Sequence, residues 1–568
     1  MHRTSMMSCT AVLLLLVAHP LAAQRGAGGR TPEEARTDSV FTAFDRSDSP
    51  GCSVGVFRDG AIRYARGYGM ANLELGVANS PHTVFDVGSV SKQFTAMSIL
   101  LLQKDGKLNI DESVRKYIPE LPAYADHITL RELLSHTSGI RDHFGLLEIA
   151  GRDFDGTADT VDYLRYITRS AAPNFEPGTR YLYSNSGFVL LAQIVYRVSG
   201  MPLARFAAER IFAPLGMRDT RFQDDHTQII PNRATAYMPR GDHWAIRMSE
   251  FDDMAGAGGL HTTVEDFQKW LRNYDSAVVG SRDIVAAMTT PTKLKNDSLA
   301  GTPPESWYGL GIGVGTYRGL PVDSHTGVWG GYRAAFLRFP NNDLAVATFC
   351  NFTTAGPDTL ARRVAAVWLG SALAPDVATA WQDSLRHAAP ASMSPGSLAT
   401  FAGAWRNDVL GEVRRTDVSG DTLYMLTGRR APLVPLGGNR FRAAPASLIT
   451  FEGDSAGAPN RLVVRSATSA TTFTRVPLAS ASAKLTDYLG AYYSPEVETT
   501  WQVRPDSGGL AVMRDGRRVG KLEPVSRDVF LEDGSTMDFK RDRSGRITGF
   551  VLEAGRVRHL RFDRQPSR

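Results

Sequence analysis

Three short fragments of the chain combine residue types that together could form and hydrolyse a covalent acyl-enzyme. Ser89-Val90-Ser91-Lys92 places a hydroxyl and an amine three residues apart, on one face of a helix. The serine can attack a carbonyl carbon there, with the lysine amine beside it. Tyr183-Ser184-Asn185 adds a phenol that can relay a proton. His325-Thr326-Gly327 resembles a strand that lines a site and offers backbone N–H groups to an oxyanion.

The residues around Ser89 predict the element that must position it. The apolar stretch 84–88 ends in glycine, and residues 93–102 follow with the composition of a buried helix. Ser89 is therefore expected near a helix N-terminus, where free N–H groups favour negative charge. Lys92, one turn further on, is expected to be desolvated, which lowers the pKa of an amine. The alternative for these two residues alone is a capping serine and a surface lysine.

Together these fragments resemble the serine β-lactamase and penicillin-binding-protein-like hydrolases. The branch concerned is the one near class C β-lactamases, family esterases and D-aminopeptidases. The resemblance covers roughly residues 31–371 and implies an α/β (α+β) domain, with helices on an antiparallel sheet. Further stretches carry it: Ile128–Gly139, Phe175–Gly178, Pro214–Met217, Gly258–Leu260 and Thr263–Asp266.

The resemblance and the residue chemistry assign roles to these side chains. Ser89 is predicted as the nucleophile, and its own N–H with that of Val328 as the oxyanion hole. Lys92 and Tyr183 share the role of base, and the sequence does not decide which accepts the first proton. Asn185 could orient Lys92 and the substrate amide, or cap the helix that follows, or both.

A rival nucleophile occurs in Gly51-Cys52-Ser53-Val54-Gly55, which matches Gly-x-Ser-x-Gly. A nucleophile elbow requires a strand before the serine and a helix after it. Here Pro50 precedes the motif and a strand pattern follows it. We therefore expect Ser53 to be structural.

His325 stands where the penicillin-recognising pattern has the lysine of Lys-Thr-Gly, a permanent cation. Histidine is mostly neutral at pH 7, so capture of a substrate carboxylate should be weaker. Thr326 and Gly327 are expected to contact substrate, and Arg333 could supply a replacement cation. Histidine in place of lysine at position 325 therefore argues against rapid β-lactam hydrolysis and favours esters, amides or peptides as substrates.

Composition and local patterns restrict the class of protein. Residues 1–23 have the basic start, apolar run and small residues of an export signal, and 24–30 form a tether, so a periplasmic or extracellular location is expected. No later segment predicts a transmembrane helix. The net charge is +5, but the arginines are dispersed, which argues against nucleic-acid binding. No metal-ligand spacing occurs, and we expect no cofactor.

The chain is predicted to contain a catalytic domain at 31–371, a linker at 372–397 and two β modules at 398–477 and 485–566. The modules repeat each other at a period of about 87 residues. Leu398–Trp405 matches Leu485–Tyr492, and Phe441 matches Phe530. Two small barrels are expected, or one larger barrel made by both halves. A catalytic domain followed by two barrels is the layout that the resemblance implies for D-aminopeptidases.

Two of the three cysteines, Cys52 and Cys350, lie beyond the export signal. The sheet order implied by the resemblance makes their strands antiparallel neighbours, so the two residues should be close, either bonded or reduced. The predicted function is an exported serine hydrolase of small esters, amides or peptides, D-amino-acid peptides among them. The alternatives are a β-lactamase or D-Ala-D-Ala carboxypeptidase, and a catalytically silent binding protein.

Overall fold

The computed structural model describes residues 30–152, 160–248, 255–302, 306–407, 411–444, 446–453, 458–467, 469–478 and 484–566. The predicted export signal and residues 24–29 of the tether lie outside the described residues. Among the described residues no single helix is long and apolar enough to cross a membrane. Two bent helix pairs in the described part of the chain reach that length and composition together: Asn185–Ser199 with Leu203–Leu215, and Pro357–Ala372 with Val377–His387.

The catalytic domain is built on one antiparallel sheet assembled from both ends of its sequence. The first strands form a hairpin at the edge of the sheet, and the late strands continue from it. Nearly every position along the central strands is buried, so apolar side chains point to both faces of the sheet and both faces are covered. In spatial order the described strands are Gly301–Thr302, Ser306–Tyr308, Gly313–Tyr317, Leu320–Trp329, Tyr332–Phe339, Leu344–Cys350, Cys52–Arg58 and Ala61–Tyr68.

Helices cover the two faces of this sheet. Val54 and Val56 point to one face and pack with Phe41 and Val364 of the terminal helices. Phe57, Phe336 and Phe349 contribute to the core on the other face, together with the helix that follows Ser89. The helices of the domain are Pro32–Phe41, Lys92–Lys104, Leu130–Leu134, His143–Ala150, Thr160–Arg169, Asn185–Ser199, Leu203–Ala207, Ala213–Leu215, Val264–Ser276, Arg282–Met288 and Pro357–Leu369.

The start of the first helix shows how closely the local sequence specifies structure. Thr31 caps the helix Pro32–Phe41 by accepting a hydrogen bond from the Glu34 N–H, and the Glu34 side chain accepts one from the Thr31 N–H. This capping box satisfies N–H groups that the first helical turn leaves free. The sequence Thr31-Pro32-Glu33-Glu34 predicts this capping box and helix start, and the structure confirms both.

The two cysteines that the resemblance brings together occupy directly paired positions. Cys52 begins one strand and Cys350 ends its antiparallel neighbour. They form a disulfide, with Cα atoms 4.0 Å apart. The predicted proximity and the strand order are confirmed.

The remaining chain forms two separate closed barrels of eight antiparallel strands each, so the single larger barrel is wrong. The first comprises Gly403–Asn407, Glu412–Ser419, Thr422–Leu426, Arg430–Gly437, Arg440–Ala443, Ser447–Glu452, Arg461–Arg465 and Ala470–Val476. The second comprises Gly490–Ser494, Thr499–Asp506, Gly509–Arg514, Arg517–Ser526, Val529–Glu532, Ser535–Arg541, Ile547–Ala554 and Val557–Arg564.

The segment between the sheet domain and the first barrel contains the helices Val377–His387 and Pro395–Ala399. It packs on the first barrel, because the Arg442 guanidinium donates to the Leu385 carbonyl and the Ala391 N–H donates to the Pro435 carbonyl. The sequence predicted only a linker here, since its Pro, Ala and Ser content hides the helical pattern of 377–387.

Candidate active site

Ser89 lies where a 3-10 turn, Gly88–Ser91, leads into the helix Lys92–Lys104. It is partly exposed, whereas the side chains on either side of it are buried. Ser89 therefore stands at a helix N-terminus, as predicted for the attacking serine. Ser53, in contrast, is fully buried in a strand and donates to the Ser80 carbonyl at 2.8 Å, so it has no access to substrate.

Lys92 reaches back to Ser89 from a fully buried position. Its Nζ lies 2.9 Å from Ser89 Oγ, 2.9 Å from Asn185 Oδ1 and 2.6 Å from the Ala257 carbonyl oxygen. Burial lowers the pKa of Lys92 well below its ordinary value, and the charge of Arg556 lowers it further, while Asp142 raises it. Two of its neighbours only accept hydrogen bonds, so a neutral amine can donate to both and direct its lone pair at the serine hydroxyl.

Asn185 is fixed in orientation by Asp142. The buried Asp142 carboxylate accepts hydrogen bonds from the Asn185 N–H at 2.6 Å and from Asn185 Nδ2 at 2.9 Å. A carboxylate oxygen cannot donate, so the amide nitrogen must face Asp142 and the amide oxygen must face Lys92. Asn185 also begins the helix Asn185–Ser199. Asp142 was not predicted from the sequence, where its only signal is that of a helix N-cap.

Tyr183 lies against Lys92, with the Lys92 Nζ 5.0 Å from the centre of its ring. Burial raises the pKa of Tyr183 above its ordinary value, although the nearby Ser89 hydroxyl lowers it in part. Among the described residues its buried hydroxyl has no hydrogen-bond partner of good geometry. The raised pKa keeps the Tyr183 phenol protonated near neutral pH.

His136 holds the backbone on both sides of Tyr183. Its carbonyl accepts the Leu182 N–H at 3.0 Å, and its Nδ1 accepts the Ser184 N–H at 3.1 Å. The His136 ring packs on the Tyr183 ring with centroids 4.0 Å apart. Burial lowers the pKa of His136 well below its ordinary value, so the ring is neutral. The sequence identified its motif only as part of the resemblance.

His325 is a neutral ring with both nitrogens engaged. Nδ1 lies 2.7 Å from the Thr326 carbonyl and must donate to it, so Nε2 accepts from the Tyr308 hydroxyl at 2.8 Å. Burial, with a smaller effect of Lys92, lowers the pKa of His325 to about 4. The interpretation that His325 does not act as a cation agrees with this geometry. Tyr308, which orients it, had no signal in the sequence.

The strand that carries His325 approaches the nucleophile very closely. A Cβ on Gly327 would lie 1.8 Å from the Val87 carbonyl oxygen, and a Cβ on Gly88 would lie 2.6 Å from the Val328 nitrogen. Only glycine fits at either position, and Gly88 also has a φ of +50°. This contact brings the Val328 N–H beside the turn of Ser89, as the predicted oxyanion hole requires. The Thr326 side chain is exposed.

The structure does not place Arg333 among these residues. Arg333 is paired with Val328 and Cys350, and so shares the sheet face of the disulfide. Its guanidinium donates to the carbonyls of Gly330 and Tyr332 at 3.1 and 2.6 Å. A different arginine lies near the site: the guanidinium carbon of Arg556, in the second barrel, is 4.8 Å from the centre of the Tyr183 ring.

Among the described residues no group of three or more His, Cys, Asp or Glu side chains is arranged to hold a metal ion. The arrangement of Ser89, Lys92, Tyr183 and Asn185 can form an acyl-enzyme with its own side chains. The family model described as Beta-lactamase matches residues 37–369. The chain belongs to the Beta-lactamase family. It is a serine hydrolase of that family, and the resemblance found in its motifs is confirmed.

Relatives of this family differ in how much of the chain they match. A D-aminopeptidase of Cereibacter sphaeroides (strain ATCC 17029 / ATH 2.4.9) is 28% identical over 498 residues, which cover 85% of this chain and 87% of the relative. Penicillin-binding protein 4* of Bacillus subtilis (strain 168) is 29% identical over 301 residues, 49% of this chain and 63% of that protein. The octameric penicillin-binding protein homologue from Pyrococcus abyssi shares the fold, with a TM-score of 0.53, 22% identity, and coverage of 75% of this chain and 96% of that one.

Proposed function

We propose that this chain is an exported hydrolase of D-amino-acid amides and short D-amino-acid peptides that works through an acyl-enzyme on Ser89. The observation that carries the proposal is the contact set of the buried Lys92 amine, with Ser89 Oγ at 2.9 Å. The substrate class is supported by D-aminopeptidases similar to this chain over 85% of its length, a span that includes barrel sequence as well as the catalytic domain. Export is supported by the pattern of residues 1–23 and by the disulfide, which suits an oxidising compartment.

The first chemical step is attack of Ser89 Oγ on the carbonyl carbon of the substrate. The lone pair of the neutral Lys92 amine takes the hydroxyl proton as the carbon–oxygen bond forms. The negative charge that develops on the carbonyl oxygen is held by the backbone N–H groups of Ser89 and Val328. Both donors are fixed in place before the reaction, because Gly88 and Gly327 allow the two segments to touch.

The second step expels the leaving amine and leaves the acyl group on Ser89. The leaving nitrogen needs a proton, which the Tyr183 phenol donates while it recovers one from the Lys92 ammonium. Water then attacks the ester, Lys92 takes its proton, and breakdown returns the proton to Ser89 Oγ and releases the acid. The raised pKa of Tyr183 suits a residue that gives a proton rather than one that starts as a base.

The test is a panel of enantiomeric substrates with detection of the covalent intermediate. D- and L-alanine p-nitroanilide and D- and L-alaninamide are compared for kcat/KM, and intact-mass spectrometry follows acylation by a slow ester. We expect D-selective hydrolysis and a mass increase that Ser89→Ala abolishes. Ser53→Ala is the matched control and should retain both. Hydrolysis of only the L-enantiomers would overturn the substrate class, and a mass increase that persists in Ser89→Ala would overturn the site.

A further inference from the structure

Arg556 lies in the turn between the last two strands of the second barrel, and its side chain reaches the catalytic residues. Its guanidinium carbon is 4.8 Å from the centre of the Tyr183 ring. The amine of Lys92 lies against the same ring, at 5.0 Å. The Arg556 side chain is 47% exposed, so it is open to a ligand that enters beside the nucleophile.

The turn is held in place by hydrogen bonds to the catalytic domain. The Asn174 side chain donates to the Arg556 carbonyl at 2.9 Å and accepts the Arg558 N–H at 2.7 Å. The buried Arg141 guanidinium donates to the carbonyls of Arg558 and His559 at 2.9 and 3.1 Å. Because the turn is fixed before substrate arrives, the cation is preorganised rather than drawn in from solvent.

The described residues leave N–H donors of the Arg556 guanidinium without a hydrogen-bond acceptor. Its ionic partner among the described residues is Asp142, with Arg556 Nη1 3.8 Å from Asp142 Oδ2, beyond hydrogen-bond distance. That same oxygen already accepts two hydrogen bonds from Asn185. The planar guanidinium therefore has N–H groups available for a bidentate contact with another carboxylate.

Arg556 is also a permanent cation beside the nucleophile. Burial lowers the pKa of Lys92 and of His325, which disfavours their charged forms, and Arg333 donates to carbonyls of its own turn. The charge of Arg556 acts on the catalytic groups, since it lowers the pKa of Lys92 and of Tyr183. Arginine stays charged throughout the working range of pH.

We propose that Arg556 binds a carboxylate of the substrate beside Ser89 and makes the enzyme selective for D-amino-acid peptides that carry a free carboxylate next to the scissile bond. This selectivity depends on the proposed function, because the substrates concerned are D-amino-acid peptides. Arg556 supplies the cation that His325 does not, from a different domain and from the opposite end of the sequence.

The experiment compares substrate pairs that differ only in the charge of one group. The first pair is N-acetyl-D-alanyl-D-alanine and its C-terminal amide, and the second is N-succinyl- and N-acetyl-D-alanine p-nitroanilide, so both sides of the scissile bond are sampled. A third pair, p-nitrophenyl hydrogen succinate and its methyl ester, reports acylation without a D-amino acid. Each is measured with the full chain, with Arg556→Gln, with Arg556→Lys, and with Arg561→Gln, which removes an exposed arginine from the same barrel.

We expect Arg556→Gln to lower kcat/KM for the charged member of at least one pair by about tenfold or more, mainly through KM, as for loss of a charge-assisted contact. With each variant measured on the plateau of its pH profile, above the ascending limb, the neutral members should change by less than about twofold. Arg556→Lys should recover part of the loss, and Arg561→Gln should resemble wild type. Equal losses on charged and neutral members in all three pairs, or no loss in any, would overturn the proposal. Activity on the esters with none on the D-peptides would instead refute the proposed function, while the ester pair still decides the role of Arg556.

Discussion

At the scale of single residues, the protonation of Lys92 is set by three opposing influences. Burial is the largest and lowers its pKa; the negative charge of Asp142 raises the pKa, and the positive charge of Arg556 lowers it. The two charged residues are near each other, with Arg556 Nη1 3.8 Å from Asp142 Oδ2. Replacing either residue should therefore shift the pKa of Lys92 in a predictable direction.

We predict that Asp142→Asn and Arg556→Gln move the pH dependence of kcat/KM in opposite directions. Lys92 must be unprotonated to accept the serine proton, so activity falls as pH drops through its pKa. Asp142→Asn removes the influence that raises this pKa and should shift the ascending limb to lower pH. Arg556→Gln removes an influence that lowers it and should shift the limb to higher pH. Profiles measured with a neutral ester test this, and shifts of the same sign would contradict Lys92 as the base.

Tyr183→Phe should separate substrates by their leaving groups. A protonated phenol is needed when an amine leaves, because the amine must gain a proton, whereas p-nitrophenolate leaves without one. We expect a loss of at least about a hundredfold in kcat for anilides and a much smaller loss for p-nitrophenyl esters. Tyr181→Phe, which removes the phenol two residues earlier in the chain, is the control and should be near normal. Equal losses on both substrate types would argue against proton donation.

At the scale of elements, the site depends on backbone contact between the strand Leu320–Trp329 and the turn Gly88–Ser91. No side chain separates them, because glycine occupies positions 327 and 88. Gly327→Ala would place a Cβ 1.8 Å from the Val87 carbonyl oxygen, so the strand must withdraw from the turn of Ser89. The Val328 N–H then moves away from the oxyanion. We expect kcat to fall by about a hundredfold or more, as for loss of an oxyanion donor.

The matched control for this substitution is Gly356→Ala, where a Cβ meets only Thr359 atoms at 3.9 Å and φ is −108°. Its kinetics and melting temperature should be those of wild type. A Gly327→Ala enzyme with unchanged kcat and a normal thermal melt would show that the Val328 N–H is not an oxyanion donor.

Local patterns were enough to predict the elements that carry the nucleophile. The spacing of Ser89 and Lys92, the apolar run behind them and the capping box at Thr31 each act within a few residues, so one sequence suffices. The edge strands Gly301–Thr302 and Ser306–Tyr308 were not predicted, because two or three residues carry no periodic signal.

Long-range contacts account for what the sequence did not predict. Asp142 acts through Asn185, and Tyr308 acts through His325. Arg556 reaches Tyr183 from another domain. None of these pairs is related by helix or strand periodicity. Arg333 could supply a cation as far as the sequence shows, but sheet pairing puts its side chain on the face of Cys350.

At the scale of the whole molecule, the catalytic sheet and the two barrels each pair strands only within themselves, but they pack together through apolar surfaces. Every strand of the described sheet lies between residues 52 and 350, and each barrel pairs its strands with one another. The core around the catalytic helix nevertheless continues into the second barrel, which contributes Tyr488, Trp501 and Val557. The barrel thus docks on the domain through a buried apolar contact as well as through the turn of Arg556.

We predict that a chain ending after His387 still folds and still forms an acyl-enzyme with an activated ester. The reason is that no strand of the sheet is lost. Its free energy of unfolding should be lower, because the apolar surface under the second barrel and the Arg141 side chain, 1% exposed in the whole protein, become exposed. Urea unfolding and intact-mass labelling measure the two effects. A shortened chain with no cooperative transition would mean that the barrels belong to the core of the catalytic domain.

The docking of the second barrel offers a comparison between two glutamates that lie two residues apart. Glu496 forms a buried ion pair with Arg141, with side chains 9% and 1% exposed. Glu498 pairs with Arg165 and Arg169, which are 51% and 41% exposed. Removing one partner of a buried pair leaves an uncompensated charge, which costs about 3 kcal/mol or more, whereas exposed pairs contribute little.

Glu496→Gln should therefore weaken the docking of the second barrel on the catalytic domain, whereas Glu498→Gln should leave it unchanged. We expect Glu496→Gln to lower the free energy of unfolding by about 3 kcal/mol and to speed amide hydrogen exchange in the strands Ile547–Ala554 and Val557–Arg564, which flank Arg556. The preference of the enzyme for carboxylate-bearing substrates should weaken with it, since the guanidinium is no longer held at Tyr183. Glu498→Gln removes the same charge and should leave exchange and preference near wild type. Similar behaviour of the two variants would show that burial of the Arg141 pair does not position the turn.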